Sequence, residues 1–196
     1  MSFDKILFLD IETVPQTYAY QDLDDKTKEL FNSKNRFAQN EEKSFEMIYN
    51  EKGGILSEFG KIICISVGML RNSTIGRTIR LKSFAHDDEE TLLLQFKRLL
   101  EDHYNGHDHL LCGHNAKEFD FPYIARRALV HGLRLPKIFD IAGAKPWEVK
   151  DMLIDTLQLW KFGDYKHFTS LKLLTSILGI PSPKDDISGS EVASVY

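Results

Sequence analysis

The chain has 196 residues, of which 42% are hydrophobic and 11% aromatic, enough for a sizeable core in one domain carrying an insertion and short for two domains. A formal net charge of -4 excludes the global basic excess of proteins that coat nucleic acid non-specifically. No apolar run reaches the roughly 18 residues of a membrane span and no basic, cleavable leader opens the chain, so a soluble, cytoplasmic protein without membrane contact is expected.

Lys5 to Ile11 (KILFLDI) is the short, nearly continuous apolar run of a strand buried on both faces, and it is expected to be central. Residues 16 to about 58 are mostly polar, with scattered apolar positions at Leu23, Leu30, Phe31, Phe37, Phe45 and Ile48. They read as a helical insertion that ends at the Gly53-Gly54 turn. Lys61 to Leu70 predicts a second buried strand and Thr78 to Phe84 a more alternating one near a sheet edge; their short connections suggest antiparallel neighbours. The acids from Asp87 suit the positive end of a helix dipole, with Leu92, Leu93, Phe96, Leu99 and Leu100 as the apolar face.

Leu110 to His114 predicts a fourth strand. A helix follows from Phe119-Asp120, with Phe121, Ile124, Ala125 and Ala128 on one face and a stop at Gly132. Asp155-Thr156 opens a short helix, and Ser170 caps another over Leu171, Leu174, Ile177 and Leu178 as far as Gly179. The order predicts an α/β fold of the ribonuclease-H-like type. About five strands form a mixed sheet, three antiparallel and then parallel, flanked by helices in a single domain over residues 1–196. Cys64 and Cys112 lie in apolar runs and are expected as reduced thiols, neither disulfide-bonded nor zinc-bound.

Asp10 and Glu12 leave the same face of the first strand, roughly 7 Å apart along it and at its C-terminal end. Two carboxylates converging to about 5 Å repel by roughly 3 kcal/mol at an effective dielectric of 20, and a divalent cation resolves this. Mg2+ or Mn2+, as a pair of ions about 3.5 to 4 Å apart, can activate water for phosphodiester cleavage. An Asp-x-Glu triplet arises by chance about once in a chain with 29 acids, and Asp87 to Glu90 holds such bystanders. Asp10-Ile11-Glu12 stands apart because it sits at the mouth of a buried strand, where open α/β sheets bind ligands, although that feature alone reads equally as a solvated strand end. The run His114 to Asp120 follows the fourth strand directly. Asp120 reads either as a helix N-cap or, if that strand lies beside the first, as a third ligand at the same sheet edge.

Asp-Ile-Glu-Thr and Asn115 to Asp120 resemble motifs I and II of the DEDD (DnaQ-like) 3'-5' exonuclease superfamily. FLDIETVP, CGHNAKEFDFPYIARRAL, KPWE and DTLQLWKFGD with SLKLLTSILGIPSPK are closer to a subgroup, the predicted exonucleases related to the proofreading domain of family B DNA polymerases. The likeness runs from Phe8 to about Gly189. It implies a 3'-5' exonuclease acting on single-stranded DNA or RNA 3' ends, with Asp10, Glu12 and Asp120 as catalytic metal ligands for Mg2+ or Mn2+. Thr13, Asn115 and Phe119 would lie against the terminal nucleotide. The family's motif III, with a fourth aspartate, is expected after the Gly189-Ser190-Glu191-Val192 segment and is not found before Tyr196. The chain is therefore expected to be a nearly inactive piece of a longer enzyme. Asp155 could replace the fourth ligand, but it reads more plainly as a helix cap. The alternative function is a catalytically impaired nucleic-acid-binding module with the same fold.

Three weaker signals complete the reading. Gly54 to Lys61 lacks the spacing and the Ser or Thr of a phosphate loop. His103, His107 and His109 flank an Asn-Gly turn and read as a solvated loop before they read as a metal site. Trp147 and Trp160 suit either core or substrate rim.

Overall fold

The computed structural model describes residues 2–74, 76–145, 148–149, 153–164 and 166–181. Its five-stranded sheet has the order β3-β2-β1-β4-β5. The strands are β1 (Ile6–Pro15), β2 (Gly60–Ser73), β3 (Gly76–Ala85), β4 (Leu110–Gly113) and β5 (Leu153–Asp155). The first three are antiparallel, while β4 runs parallel to β1 and β5 parallel to β4, the expected antiparallel-then-parallel order; β5 occupies a segment just before Thr156 where no strand is predicted. The helices are α1 (Asp25–Asn35), α2 (Phe45–Lys52), α3 (Glu89–His103), α4 (Asp120–Val130), α5 (Thr156–Lys161) and α6 (Leu171–Ile177).

The first strand departs from its predicted length. It continues past Ile11 to Pro15 because the 14-residue β2 pairs with it throughout, down to Gly60 opposite Pro15. Asp10 and Glu12 therefore lie within the strand and not at its mouth. A register shift at Glu12/Thr13 bends the ladder beside them.

Alternation along β1 separates two faces. Leu7, Leu9 and Ile11 are buried and join Ile65, Val67 and Phe84 under Leu92, Leu93, Phe96 and Leu100 of α3 and Phe121 and Ile124 of α4. Each such side chain contributes about 1.5–3 kcal/mol on full burial. Edge-on ring contacts, Phe84 to Phe96 at 5.9 Å and Phe96 to Phe139 at 6.3 Å, add shape to the layer. Asp10 and Glu12 project from the opposite face. In β3, where a more alternating strand is predicted, only Phe84 is buried, because the strand is the outer edge of the sheet.

Between β1 and β2 the chain forms α1 and α2, capped by Asp24 on the Thr27 amide (3.0 Å) and Ser44 on the Met47 amide (3.2 Å). Leu23, Phe31, Ile48 and Tyr49 build a second small core there, with Phe31 and Tyr49 edge-on at 5.0 Å. Leu30 and Phe37, two of the apolar positions in this segment, face solvent instead.

One ionic cluster ties these layers together. Glu89, the first residue of α3, accepts from the Ile62 amide of β2 (2.7 Å), from Arg127 Nη2 (2.5 Å) and Nε (3.0 Å) of α4, and from His131 Nε2 (2.8 Å). Arg127 Nη1 donates in turn to the Ser57 carbonyl at 3.0 Å. Burial works to raise the pKa of Glu89, but these donors, led by Arg127, outweigh it and hold the carboxyl below its ordinary range. Both cysteines are free thiols; Cys112 is buried, and desolvation with the nearby Asp155 charge pushes its pKa up to about 11.

Candidate active site

The site begins where a strand stops. Pairing of β1 with β4 covers only Ile6, Leu7 and Phe8, and β4 ends at Gly113. A Cβ on Gly113 would meet the Ala116 methyl at 2.5 Å and the Leu9 carbonyl at 3.1 Å, so only glycine lets the chain turn away this close to β1. The vacated edge is taken by Asp120, whose Oδ1 accepts from the Ile11 amide at 3.1 Å. A residue 109 positions downstream thus reaches the peptide between Asp10 and Glu12. The N-cap of α4 is Phe119, which makes no side-chain cap bond, so the simple capping role for Asp120 is set aside.

The turn leading to Asp120 is held by Asp155, which is 2% exposed. Its Oδ1 accepts from the amides of Asn115 (2.9 Å) and Leu157 (2.9 Å), and its Oδ2 from the Lys117 amide (3.0 Å). One carboxylate therefore caps α5 and fixes the 115–117 turn, in which Asn115 adopts φ 61°, a left-handed conformation that Asn tolerates better than most residues. Asn115 Oδ1 is buried without a hydrogen-bond partner among the described residues. His114 braces the same turn, with Nδ1 2.9 Å from Thr156 Oγ1 and Nε2 donating to the Thr169 carbonyl at 2.9 Å.

Asp120 is 4% exposed, and its pKa rises from an ordinary 3.8 to about 7. Burial is the largest cause and the Asp10 charge the second; the Ile11 amide opposes both, and Asp155 adds a smaller push upward. Asp10 and Asp120 are thus close enough to repel, and Glu12 shares the face of Asp10. All three offer oxygen donors, which suit a hard divalent cation. Among the described residues, no three His, Cys, Asp or Glu side chains close around a single point, so the convergence is a pair with a third acid alongside.

The other predicted contact residues sit around this edge. The Thr13 side chain lies near Tyr123, whose hydroxyl donates to the Gly54 carbonyl at 2.7 Å, and the half-buried Phe119 ring lies 5.4 Å from that of Tyr123. Gly60 faces the same phenol so closely that a Cβ would meet its oxygen at 2.2 Å. Burial raises the Tyr123 pKa. Tyr123 and Glu89 are not among the residues that the sequence motifs mark. A tyrosine among the inward positions of α4 is a legible cue, because a buried phenol needs a partner that phenylalanine does not. Trp147 and the 185–196 segment lie outside the described residues. Trp160 is exposed at the end of α5, and of the His103, His107 and His109 rings, His109 accepts at Nδ1 from the Gly106 amide at 3.0 Å.

A mixed sheet in this order, with acids meeting where β4 leaves β1, defines an α/β domain of the ribonuclease-H-like class. The chain belongs to the family of predicted 3'-5' exonucleases related to the exonuclease domain of PolB, which matches residues 55–196. Asp120 falls inside the matched region and Asp10 and Glu12 before it. A family B DNA polymerase from the hyperthermophilic archaeon Pyrobaculum calidifontis is similar in structure, with a TM-score of 0.57 at 17% identity over 96% of this chain. That likeness concerns the fold, and the chain spans 20% of the polymerase's length. No curated protein sequence matches the chain.

Proposed function

We propose that this protein is a metal-dependent 3'-5' exonuclease that hydrolyses phosphodiester bonds at single-stranded DNA or RNA 3' ends. The observation that carries the reading is the buried Asp120 carboxyl, bonded to the peptide between Asp10 and Glu12 and raised to about 7 beside the Asp10 charge. Such a pair is stabilised by added positive charge, and oxygen donors select Mg2+ or Mn2+. Asp10, Glu12 and Asp120 would hold the ions, two in a full site, which when bound supply an activated water and charge neutralisation at the scissile phosphate. Asn115, fixed in its turn by Asp155, offers its side-chain amide to the terminal nucleotide. Thr13 lies beside Tyr123, and Phe119 gives an apolar wall. A cytoplasmic location fits this reading, and no helix among the described residues is long and apolar enough to cross a membrane.

The test uses 5'-labelled single strands of DNA and RNA with saturating Mn2+ and protein in excess over strand, so that the slow cleavage expected of a site with three acids is still read. A ladder shortened stepwise from the 3' end, slowed at least 100-fold by Asp120→Asn with the fold intact, supports the enzyme. Internal cuts, or an Asp120→Asn protein that cleaves normally, sink it. Strand binding without any cleavage would make the domain a nucleic-acid-binding module.

A further inference from the structure

At the far end of the sheet from the acids, a cleft of about 770 Å³ opens between the β2–β3 hairpin and the C-terminal end of α3. Its polar lining comprises Arg71, Asn72, Arg80, His103, Tyr104 and Asp4, with the Ser2 hydroxyl beside Asp4. Met69 pairs with Arg80 and Arg71 with Thr78, so the two arginines are diagonal neighbours on the helix-covered face, roughly 7–8 Å apart at their Cα atoms. Leu7 pairs with Met69, which places Arg71 level with the start of β1, roughly 17 Å along the strand from Asp10 and on the opposite face. The cleft is therefore separate from the candidate active site.

The charges in the cleft do not balance. Among the described residues no carboxylate lies within ion-pairing distance of Arg71 or Arg80. Asp4 supplies one negative charge, and the end of α3 adds about half of another. Two guanidiniums exceed that sum. A second observation points the same way: Tyr104 is 3% exposed, lines the cleft, and its hydroxyl is buried with no hydrogen-bond partner among the described residues. Buried hydroxyls are almost always paired, so this one marks a place for an oxygen the chain itself does not provide. Guanidiniums and a phenol hydroxyl together donate to the tetrahedral oxygens of a phosphate, and the planar fork of arginine suits that group.

The geometry points to a phosphate-binding site in this cleft, held by Arg71, Arg80 and Tyr104 and independent of the acidic edge. The phosphate could be free, as inorganic phosphate, or belong to the backbone of a bound strand. Both sources present the same oxygens.

Backbone and arginine side-chain NMR of the full chain in chelator, at constant ionic strength set with chloride, tests the site with inorganic phosphate as the probe. Saturable shifts at Arg71, Arg80 and Tyr104 are expected, with affinity reduced at least tenfold in the Arg71→Gln/Arg80→Gln variant. Both arginines are exposed, so that variant keeps the fold. Tyr104→Phe should weaken phosphate binding severalfold without lowering the melting temperature measured in its absence. A 10-nucleotide strand added in place of phosphate separates the sources. If the strand moves the same signals and displaces phosphate, the site takes backbone phosphates; if it leaves them unmoved while phosphate shifts them, the site takes the free ion. No saturable shift, or one that survives Arg71→Gln/Arg80→Gln, overturns the assignment. These readouts do not involve cleavage, so failure here and failure of the exonuclease reading are separate results.

Discussion

Two carboxylates in this molecule are buried to nearly the same degree and treated in opposite ways. Glu89, 5% exposed, receives a guanidinium, an imidazole and an amide, and its pKa falls; Asp120, 4% exposed, receives the Ile11 amide and faces the Asp10 charge, and its pKa climbs to about 7. Asp155 is a third case, saturated by three amides. A buried acid whose task is to hold elements together is given its positive partners by the fold. One left short of them marks a place where charge is to come from outside.

The largest effect should come from spoiling the satisfied acid. Arg127→Leu leaves Glu89 buried without its main partner and should cost about 3–5 kcal/mol in urea unfolding, whereas Glu89→Leu/Arg127→Leu should recover most of that. A loss under about 1 kcal/mol for the single variant would remove the contrast.

The next test is pH in chelator. Because the folded pKa of Asp120 lies above its ordinary 3.8, the folded state holds that proton more tightly. Its contribution is complete below pH about 4 and is lost as pH rises to about 7, by up to about 4 kcal/mol. Glu89 has the opposite sign, contributing above its ordinary 4.5 and losing that as pH falls. Because an amide mimics the neutral carboxyl, Asp120→Asn should match wild type near pH 4 and exceed it in stability by a margin that grows as pH rises to about 7, which isolates the first effect. At pH 8, saturating Mn2+ should raise the wild-type melting temperature and leave Asp120→Asn unmoved. A pH-independent difference would mean that Asp120 is an ordinary surface-like acid.

Asp155→Ala should cost about 2 kcal/mol, since three amides lose one acceptor, and hydrogen exchange at Asn115, Lys117 and Leu157 should accelerate together. Unchanged protection at Asn115 would show that the turn holds itself. The smallest effect belongs to Tyr123→Phe, about 1 kcal/mol for the lost bond to the Gly54 carbonyl. Calorimetric melts resolve it.

Much of this was legible in the sequence because it is local. The runs KILFLDI and KIICISVGML, the acids before α3, and the caps Asp155 and Ser170 all signal over a few residues, and the change from antiparallel to parallel strands follows from their spacing, whereas the three-residue β5 is too short to signal by itself. The Asn115 to Asp120 run likewise falls on the turn that Asp155 clamps. What local pattern could not reveal is pairing over distance. The extra turn of ladder in β1 depends on β2, and Glu89 looked like one of four interchangeable acids at a helix start until Arg127, 38 residues on, selected it. The Asp155 clamp on Asn115 spans 40 residues and is invisible to any short window.

The bond from Asp120 to the Ile11 amide also has a consequence for how the molecule comes into being. Its partners are separated by 109 residues, and β4 must lie parallel to β1 before Asp120 can reach its place. Contacts of that span close late, because the entropy of so large a loop is repaid only when the surrounding layers are set. During synthesis the β1–β2–β3 meander can form with Asp10 and Glu12 side by side but without Asp120, and the acidic edge is completed only once α4 has emerged and docked. The repelling pair is thus brought together by a scaffold already stable enough to bear it.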